Sequence, residues 1–455
     1  MIAKRLYLTS FEHLMVAQDS PAYPCVVFCR MQFTGKLDRD VFIGALRKTL
    51  DRHPMLRSHV ARSWRGLYWL ASPSQSVPIE WTRSENKNSW VSDSRLDLFE
   101  EPATKVFVDE ASDACEIVFQ CHHACVDGLG LQLAVEDLWL LYDGTLSGQK
   151  SELPEYKISL LPNRNRFGIS LTQIPRILRQ QKLGLVGIKQ FLVRKPVAVI
   201  PHRPVLEDKP DLLSACCHIA RFEKKTVEQF RIIANNRRAT LNELLMCCIF
   251  EAIADFRLRH RFQNPDEWIR MMVPISMRST DQDAQQTACN IVSSVFLDRM
   301  PSQIETSESL LESLHWEMDL IKKNRLGLIF IASLWVRKYL ATKRTSANPA
   351  RRCETSVVVT NLGRSFSKYP LLGQDGTMRT GKLILKNITM LAPMTPFLAS
   401  AFTINEYAGN LFLALRYDHR VFPEELAKEL LDLVVAKSTD WSSRPLNLSG
   451  VLSHG

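Results

Sequence analysis

Short stretches of alternating apolar and polar residues recur along this chain, separated by longer stretches with helical spacing. Residues 25–33 read as a strand and Gly35 as a turn. Asp38 is placed to cap a helix with Val41, Phe42, Ala45, Leu46, Thr49 and Leu50 on one side. Pro54 restricts the residue before it, so that helix should end at His53. Short strands are expected at 68–71 and 79–82. Residues 105–108 and 115–122 bracket a polar turn, as an antiparallel hairpin does. Leu131, Ala134, Val135, Leu138 and Leu141 then repeat at helical spacing until Asp143-Gly144, where the run should stop.

Between 158 and 206 the pattern changes. No Asp or Glu occurs there, while Arg164, Arg166, Arg176, Arg179, Lys182, Lys189, Arg194, Lys195 and Arg203 are threaded among apolar residues. This stretch reads as a linker that could form basic amphipathic helices. Its apolar residues would either pack on the flanking domains or meet an anionic membrane or an acidic donor. From His218 the alternation resumes, with helices expected at 226–235, 241–256 and 305–322 and a final one at 423–435. Strands are expected at 268–274, 291–297, 355–360, 383–390, 397–405 and 410–417. Strands and helices are mixed in both halves, so the class is α/β, or α+β in two layers. The organisation expected is a first lobe at 1–160, a basic linker at 161–210 and a second lobe at 211–455.

Composition narrows the class without choosing a partner. At 455 residues, with 45% apolar and 23% charged positions, the chain is globular and too long for one ordinary core. A net charge of +10 favours anionic partners such as coenzyme phosphates, acidic carrier proteins or a lipid surface. Nucleic acid is disfavoured, since no reading motif accompanies the charge. The eleven cysteines include the vicinal pairs Cys216-Cys217 and Cys247-Cys248 in apolar segments, which suits reduced thiols and a cytoplasmic setting. No CxxC pair occurs, so no metal site is expected despite Cys121, His122, His123 and Cys125. The N-terminal residues lack the apolar run of a signal peptide, and no stretch approaches the roughly 20 apolar residues of a membrane span.

The candidate chemistry lies in Cys121-His122-His123-Ala124-Cys125-Val126-Asp127-Gly128, at a strand–helix junction. By the two-residue period, His123 shares a face with Cys115, Ile117, Phe119 and Cys121, and His122 shares the other with Glu116 and Gln120. A histidine on the apolar side with a carboxylate and glycine just downstream is a candidate general base; a hydrogen-bonded histidine pair without chemistry is the alternative. Cys121 and Cys125 are not read as nucleophiles, because buried thiols are inert. Near the end, Tyr417-Asp418-His419-Arg420-Val421-Phe422 repeats the order strand, histidine, helix, but with Pro423 where Asp127 would stand.

The run His122 to Gly128 resembles the HHxxxDG signature of the condensation-domain superfamily. That group includes nonribosomal peptide synthetase condensation domains, polyketide-associated acyltransferases, wax ester synthases and alcohol acetyltransferases. Gly35-Lys36-Leu37-Asp38, Arg52-His53-Pro54-Met55-Leu56-Arg57, Val273-Pro274-Ile275-Ser276-Met277-Arg278 with Asn290, Val359-Thr360-Asn361-Leu362-Gly363 and the 417–422 run resemble further family segments in order and spacing. The resemblance implies two chloramphenicol acetyltransferase-like lobes, arranged as a pseudo-dimer with the active site at their interface. It implies a free-standing, monomeric acyltransferase with no bound cofactor. Its donor would be acyl-CoA or an acyl-carrier phosphopantetheine thioester, and its acceptor an alcohol or an amine. His123 would be the general base, His122 would orient the loop, and Asp127 would hold it through an ion pair with Arg278. Gly128 would help hold the oxyanion. Asn361 and Arg278 are carried as substrate-side residues, with a plain turn role for Asn361 left open. An acyl carrier protein and a peripheral membrane contact are further expected partners.

Overall fold

The computed structural model describes residues 5–71, 76–83, 95–149, 152–167, 169, 172, 174–203, 216–262, 264, 266–278, 287–340, 353–367 and 369–444. In chain order the first part contains β1 (Leu6–Tyr7), α1 (Ser10–Gln18), β2 (Val26–Thr34), α2 (Arg39–Arg52), β3 (Ser58–Ser63), β4 (Gly66–Ala71), β5 (Ile79–Thr82), β6 (Thr104–Glu110), β7 (Ala114–His122) and α3 (Gly128–Ser147). Two helices, α4 (Ile174–Gln180) and α5 (Lys182–Val193), lead to the second part. It contains β8 (Cys217–Phe222), α6 (Lys224–Asn236), α7 (Leu241–Arg259), β9 (Ile269–Ser276), β10 (Val292–Arg299), α8 (Ser307–Lys323), α9 (Gly327–Leu340), β11 (Val357–Arg364), β12 (Arg379–Thr380), β13 (Leu383–Leu391), β14 (Ser400–Tyr407), β15 (Asn410–Tyr417) and α10 (Glu424–Ser443).

Local chemistry explains several of the helix starts. Asp38 accepts from Val41 N at 3.1 Å and caps α2, whose C-terminal cap is His53, as the proline predicts. Thr240 and Glu243 form a complete capping box on α7. Tertiary contacts moved several ends. The α3 helix runs through Asp143-Gly144 to Ser147 and stops at Gly148, whose φ is +67°. Thr380 donates to Asp143 Oδ1 at 2.8 Å, and an interior glycine costs a helix only about 1 kcal/mol, so the local stop signal loses. The last helix continues beyond 435 to Ser443 because Ser438 and Trp441 are buried under it, and Pro423 is its N-cap. Strand β3 was not expected, since only Val60 in it is a buried aliphatic residue.

Among the described residues, two six-stranded sheets form the lobes, in the orders β12-β13-β2-β7-β6-β5 and β10-β9-β11-β14-β15-β8. Each backs onto its own apolar core. The arrangement around β7 and α3 reappears around β15 and α10. In both lobes the strand feeding the helix lies between two antiparallel neighbours, one of which has a parallel neighbour beyond it (β6 with β5, β14 with β11). The echo at His419 therefore marks a duplicated unit. His419 itself is exposed, and the buried neighbour Asp418 accepts three hydrogen bonds from Arg420, two of them from its guanidinium at 2.8 Å.

Two features depart from a linear division of the chain. Strand β13 comes from the second half, yet it pairs antiparallel with β2, and Leu383, Leu385, Ile388 and Met390 sit in the first core. The two halves are tied by this shared strand. The expected boundary at 210/211 lies outside the described residues. In addition, the basic stretch is not all solvent-facing linker: Arg164 is buried, donating to both oxygens of the buried Glu12 at 2.7 and 2.6 Å.

Candidate active site

Strand β7 delivers the two histidines to the junction of the lobes. The His123 N–H still pairs with Cys25 O at 2.7 Å, but the strand ends at His122 and His123 begins a turn. Its ring therefore leaves the core formed by Cys115, Ile117, Phe119 and Cys121 and lies half-buried on a cavity wall. The other face of the strand is not polar surface: Gln120 and His122 are buried, and Val118 packs with Ala414 of the second lobe.

His123 Nδ1 lies 3.0 Å from Val126 O. A carbonyl only accepts, so Nδ1 carries the proton and Nε2 presents its lone pair. Burial lowers the His123 pKa below the usual histidine value, against the opposing pull of the Val126 carbonyl and Asp127, so the ring is neutral at pH 7. The His123 carbonyl accepts from Asn290 Nδ2 at 2.7 Å. His122 Nδ1 accepts from Ala124 N at 3.1 Å and its Nε2 stands 3.8 Å from Asp19. That nitrogen pair is used to shape the turn.

Asp127 binds in three directions. Oδ1 accepts from Gly130 N at 2.7 Å and caps α3, while Oδ2 accepts from Arg278 Nη1 at 2.8 Å and from Ile291 N at 2.7 Å. Arg278 Nη2 in turn donates to Cys289 O at 2.9 Å. One carboxylate thus joins the first lobe's motif to the second lobe's 287–291 segment. Glycine at 128 leaves room for Leu362: a Cβ there would fall 2.5 Å from Leu362 Cδ2 of β11, so that side chain would have to shift. Its N–H belongs to the first turn of α3, where backbone donors have no intrahelical partner. Asn361 both lines the cavity and makes a local turn, accepting from Gly363 N at 2.8 Å and donating to Asn242 at 3.0 Å.

His123, Asp127, Gly128, Arg278 and Asn361 all border one cavity of about 1410 Å³ between the lobes; His122 does not. A chain of aromatic rings forms part of its wall. Phe11 meets Phe330 at 6.1 Å, Phe330 meets Phe296 at 5.6 Å and Phe296 meets Phe191 at 4.8 Å, linking α1 to α5. Two further groups escaped the sequence reading. The Asn290 amide holds the His123 carbonyl. His53, fully buried, accepts from Ala288 N at 2.9 Å and contacts Asp137 at 3.1 Å. Neither has a local signal, because each acts on residues more than eighty positions away. All eleven cysteines are free thiols, and burial pushes Cys121 up to about 12, where it is unreactive. Among the described residues, no group of three metal-binding side chains converges and no helix is long and apolar enough to cross a membrane.

Comparison with known proteins agrees with this layout. A family model described as Condensation domain matches residues 12–158. That match spans about a third of the chain, and the whole chain has the fold of solved condensation domains. Chondramide synthase cmdD of Chondromyces crocatus is 23% identical over 291 residues, covering 60% of this chain but 7% of that protein, so the chain spans a small part of that relative. The first condensation domain of the calcium-dependent antibiotic synthetase, solved with a substrate analogue, superposes with a TM-score of 0.69 at 14% identity over 98% of both chains. The starter condensation domain of rhizomide synthetase RzmA, solved with C8-CoA, gives 0.70 at 14% identity over 98% of both. The epimerization domain of tyrocidine synthetase B gives 0.67 at 13% identity, covering 96% of this chain and 97% of that one. This condensation-domain fold therefore carries more than one chemistry, and activity has to be argued from the site.

Proposed function

We propose that the chain transfers an acyl group from a CoA or carrier-bound thioester to a hydroxyl, with His123 as general base. The observation that carries this reading is the His123 ring on the wall of the interlobe cavity, with Nδ1–H committed to Val126 O and Nε2 unprotonated. In the proposed step, Nε2 takes the proton of the acceptor hydroxyl as its oxygen bonds to the thioester carbonyl carbon. The tetrahedral oxyanion is met by the Gly128 N–H at the start of α3. Collapse breaks the C–S bond, and the imidazolium returns the proton to the leaving thiolate, giving an ester and a free thiol. Asp127, Arg278 and His122 act on the geometry of the turn rather than on substrate.

An alcohol acceptor is favoured because the cavity wall is largely apolar and aromatic. Amide formation on a carrier-bound amine is the second reading, supported by the fold's likeness to synthetase condensation domains. Both predict thiol release from acyl-CoA that requires an acceptor and falls at least a hundred-fold in His123→Ala. Equal slow release by wild type and variant, across alcohols and amines, would leave a non-catalytic binding protein as the reading.

A further inference from the structure

Helix α5 forms one wall of the cavity, and this helix has two unlike sides. Leu183, Gly187 and Phe191 border the cavity. Gly184 sits on the same inner side, where a Cβ would fall 3.1 Å from Ile329 Cβ, so α5 lies close against α9. On the outer side, helical spacing aligns Lys182, Leu185, Lys189 and Val193 in one stripe. All four are exposed, Leu185 by 59% and Val193 by 68%. Arg176 and Arg179 on α4, and Lys195 just beyond α5, extend the positive charge, and all three are exposed.

A solvated charge run would not need aliphatic side chains at every second outward position. A soluble acidic partner would satisfy the cations but leave Leu185 and Val193 wet. A lipid surface satisfies both at once: lysines reach anionic headgroups while the aliphatic tips enter the acyl boundary. The absence of any Asp or Glu from 158 to 206 makes the face uniformly attractive to such a surface. The α8 rim of the same cavity carries Glu317, paired with Arg299, and Trp316, so it is less uniformly positive than the α4–α5 side.

We propose that the outer face of α4 and α5 docks on a bilayer containing anionic lipid, so that the cavity bordered by the inner face of α5 receives an apolar chain from the membrane. The docking stands alone, whereas the use made of the cavity rests on the acyl-transfer reading. The test is flotation of the full chain, without any thioester, on phosphatidylcholine vesicles with and without phosphatidylglycerol. The expected result is retention on anionic vesicles at low salt, weaker retention on neutral ones, and release as salt is raised. Lys182→Gln/Lys189→Gln should lower partitioning about thirty-fold, the equivalent of about 2 kcal/mol for two lysines at an anionic surface. Leu185→Ser/Val193→Ser, at positions that do not border the cavity, should lower it roughly ten-fold or more. No retention at low salt, or retention unchanged in both variants, overturns the proposal. Loss in the lysine variant alone also overturns it, because that is electrostatic adsorption to headgroups without entry of the aliphatic side chains.

Discussion

His53 offers a sharp test of how the second lobe is held against the histidine turn. Its ring bridges Ala288 N–H, which donates to Nδ1, and Asp137, toward which Nε2–H points. Ala288 opens the segment whose next residues supply Cys289 O to Arg278, Asn290 to the His123 carbonyl, and Ile291 N to Asp127. An Asn side chain places its carbonyl oxygen where Nδ1 stands, and a Gln side chain places its amide where Nε2 stands. His53→Asn therefore keeps an acceptor for Ala288, whereas His53→Gln keeps a donor for Asp137 and leaves a buried N–H unpaired. That orphan costs about 1–3 kcal/mol. Asp137 is less affected by losing its histidine because Arg52 Nε remains 2.6 Å away. Hydrogen exchange at 288–291 should quicken about 10- to 100-fold in His53→Gln and stay within about three-fold of wild type in His53→Asn. Thiol release should follow the same order. Equal exchange in the two variants would show that the histidine merely fills space. The pH dependence adds a second readout. Burial lowers the His53 pKa despite Asp137, so below pH 6.5 the unfolded chain binds a proton that the folded chain refuses. Stability then falls as pH drops from about 6.5 toward the native pKa, by at most about 1.4 kcal/mol per pH unit for each such histidine. Urea titrations of wild type should show this slope for both His53 and His123, and His53→Asn should lack one share of it.

Other expectations follow from single contacts. Gly128→Ala should lower thiol release and stability by about 1–3 kcal/mol, because its methyl meets Leu362, and Leu362→Ala should restore much of the stability in urea melts. Glu12→Gln strands the Arg164 guanidinium, which is buried and also donates to the Leu161 and Tyr7 carbonyls. A loss of about 3–5 kcal/mol in denaturant unfolding is expected, and a loss under 1 kcal/mol would contradict a buried pair. Thiol release should decline as pH falls below about 6.5 with a midpoint under the ordinary histidine value, since His123 is held neutral by burial; a midpoint above 6.5 would contradict its environment. Arg278→Lys retains the charge but not the fork that joins Asp127 to Cys289 O, so it should reduce kcat more than it raises KM.

The sequence by itself determined most of the longer strands and helices, though not α1, α9 or β3, together with the cap on α2 and the histidine motif at a strand–helix junction. These depend on residues within a few positions of one another, which is the range over which capping, turn chemistry and side-chain periodicity act. It also placed Arg278 beside Asp127, though only through a resemblance between segments. Tertiary structure alone decided that β13 crosses into the first sheet, that α3 outlasts Asp143-Gly144, and that Arg164 is buried against Glu12 rather than exposed with its basic neighbours. It also decided that His123 turns out of the core formed by its own strand and faces a cavity bordered by both lobes. Each of these outcomes depends on partners far apart in the chain, Thr34 with Ile384, Thr380 with Asp143 and Arg164 with Glu12, whose mutual approach no local pattern encodes. The histidine turn is likewise legible as residues but not as geometry, because the groups holding it, Asn290, Ile291 and His53, meet it only when the two lobes close around Asp127.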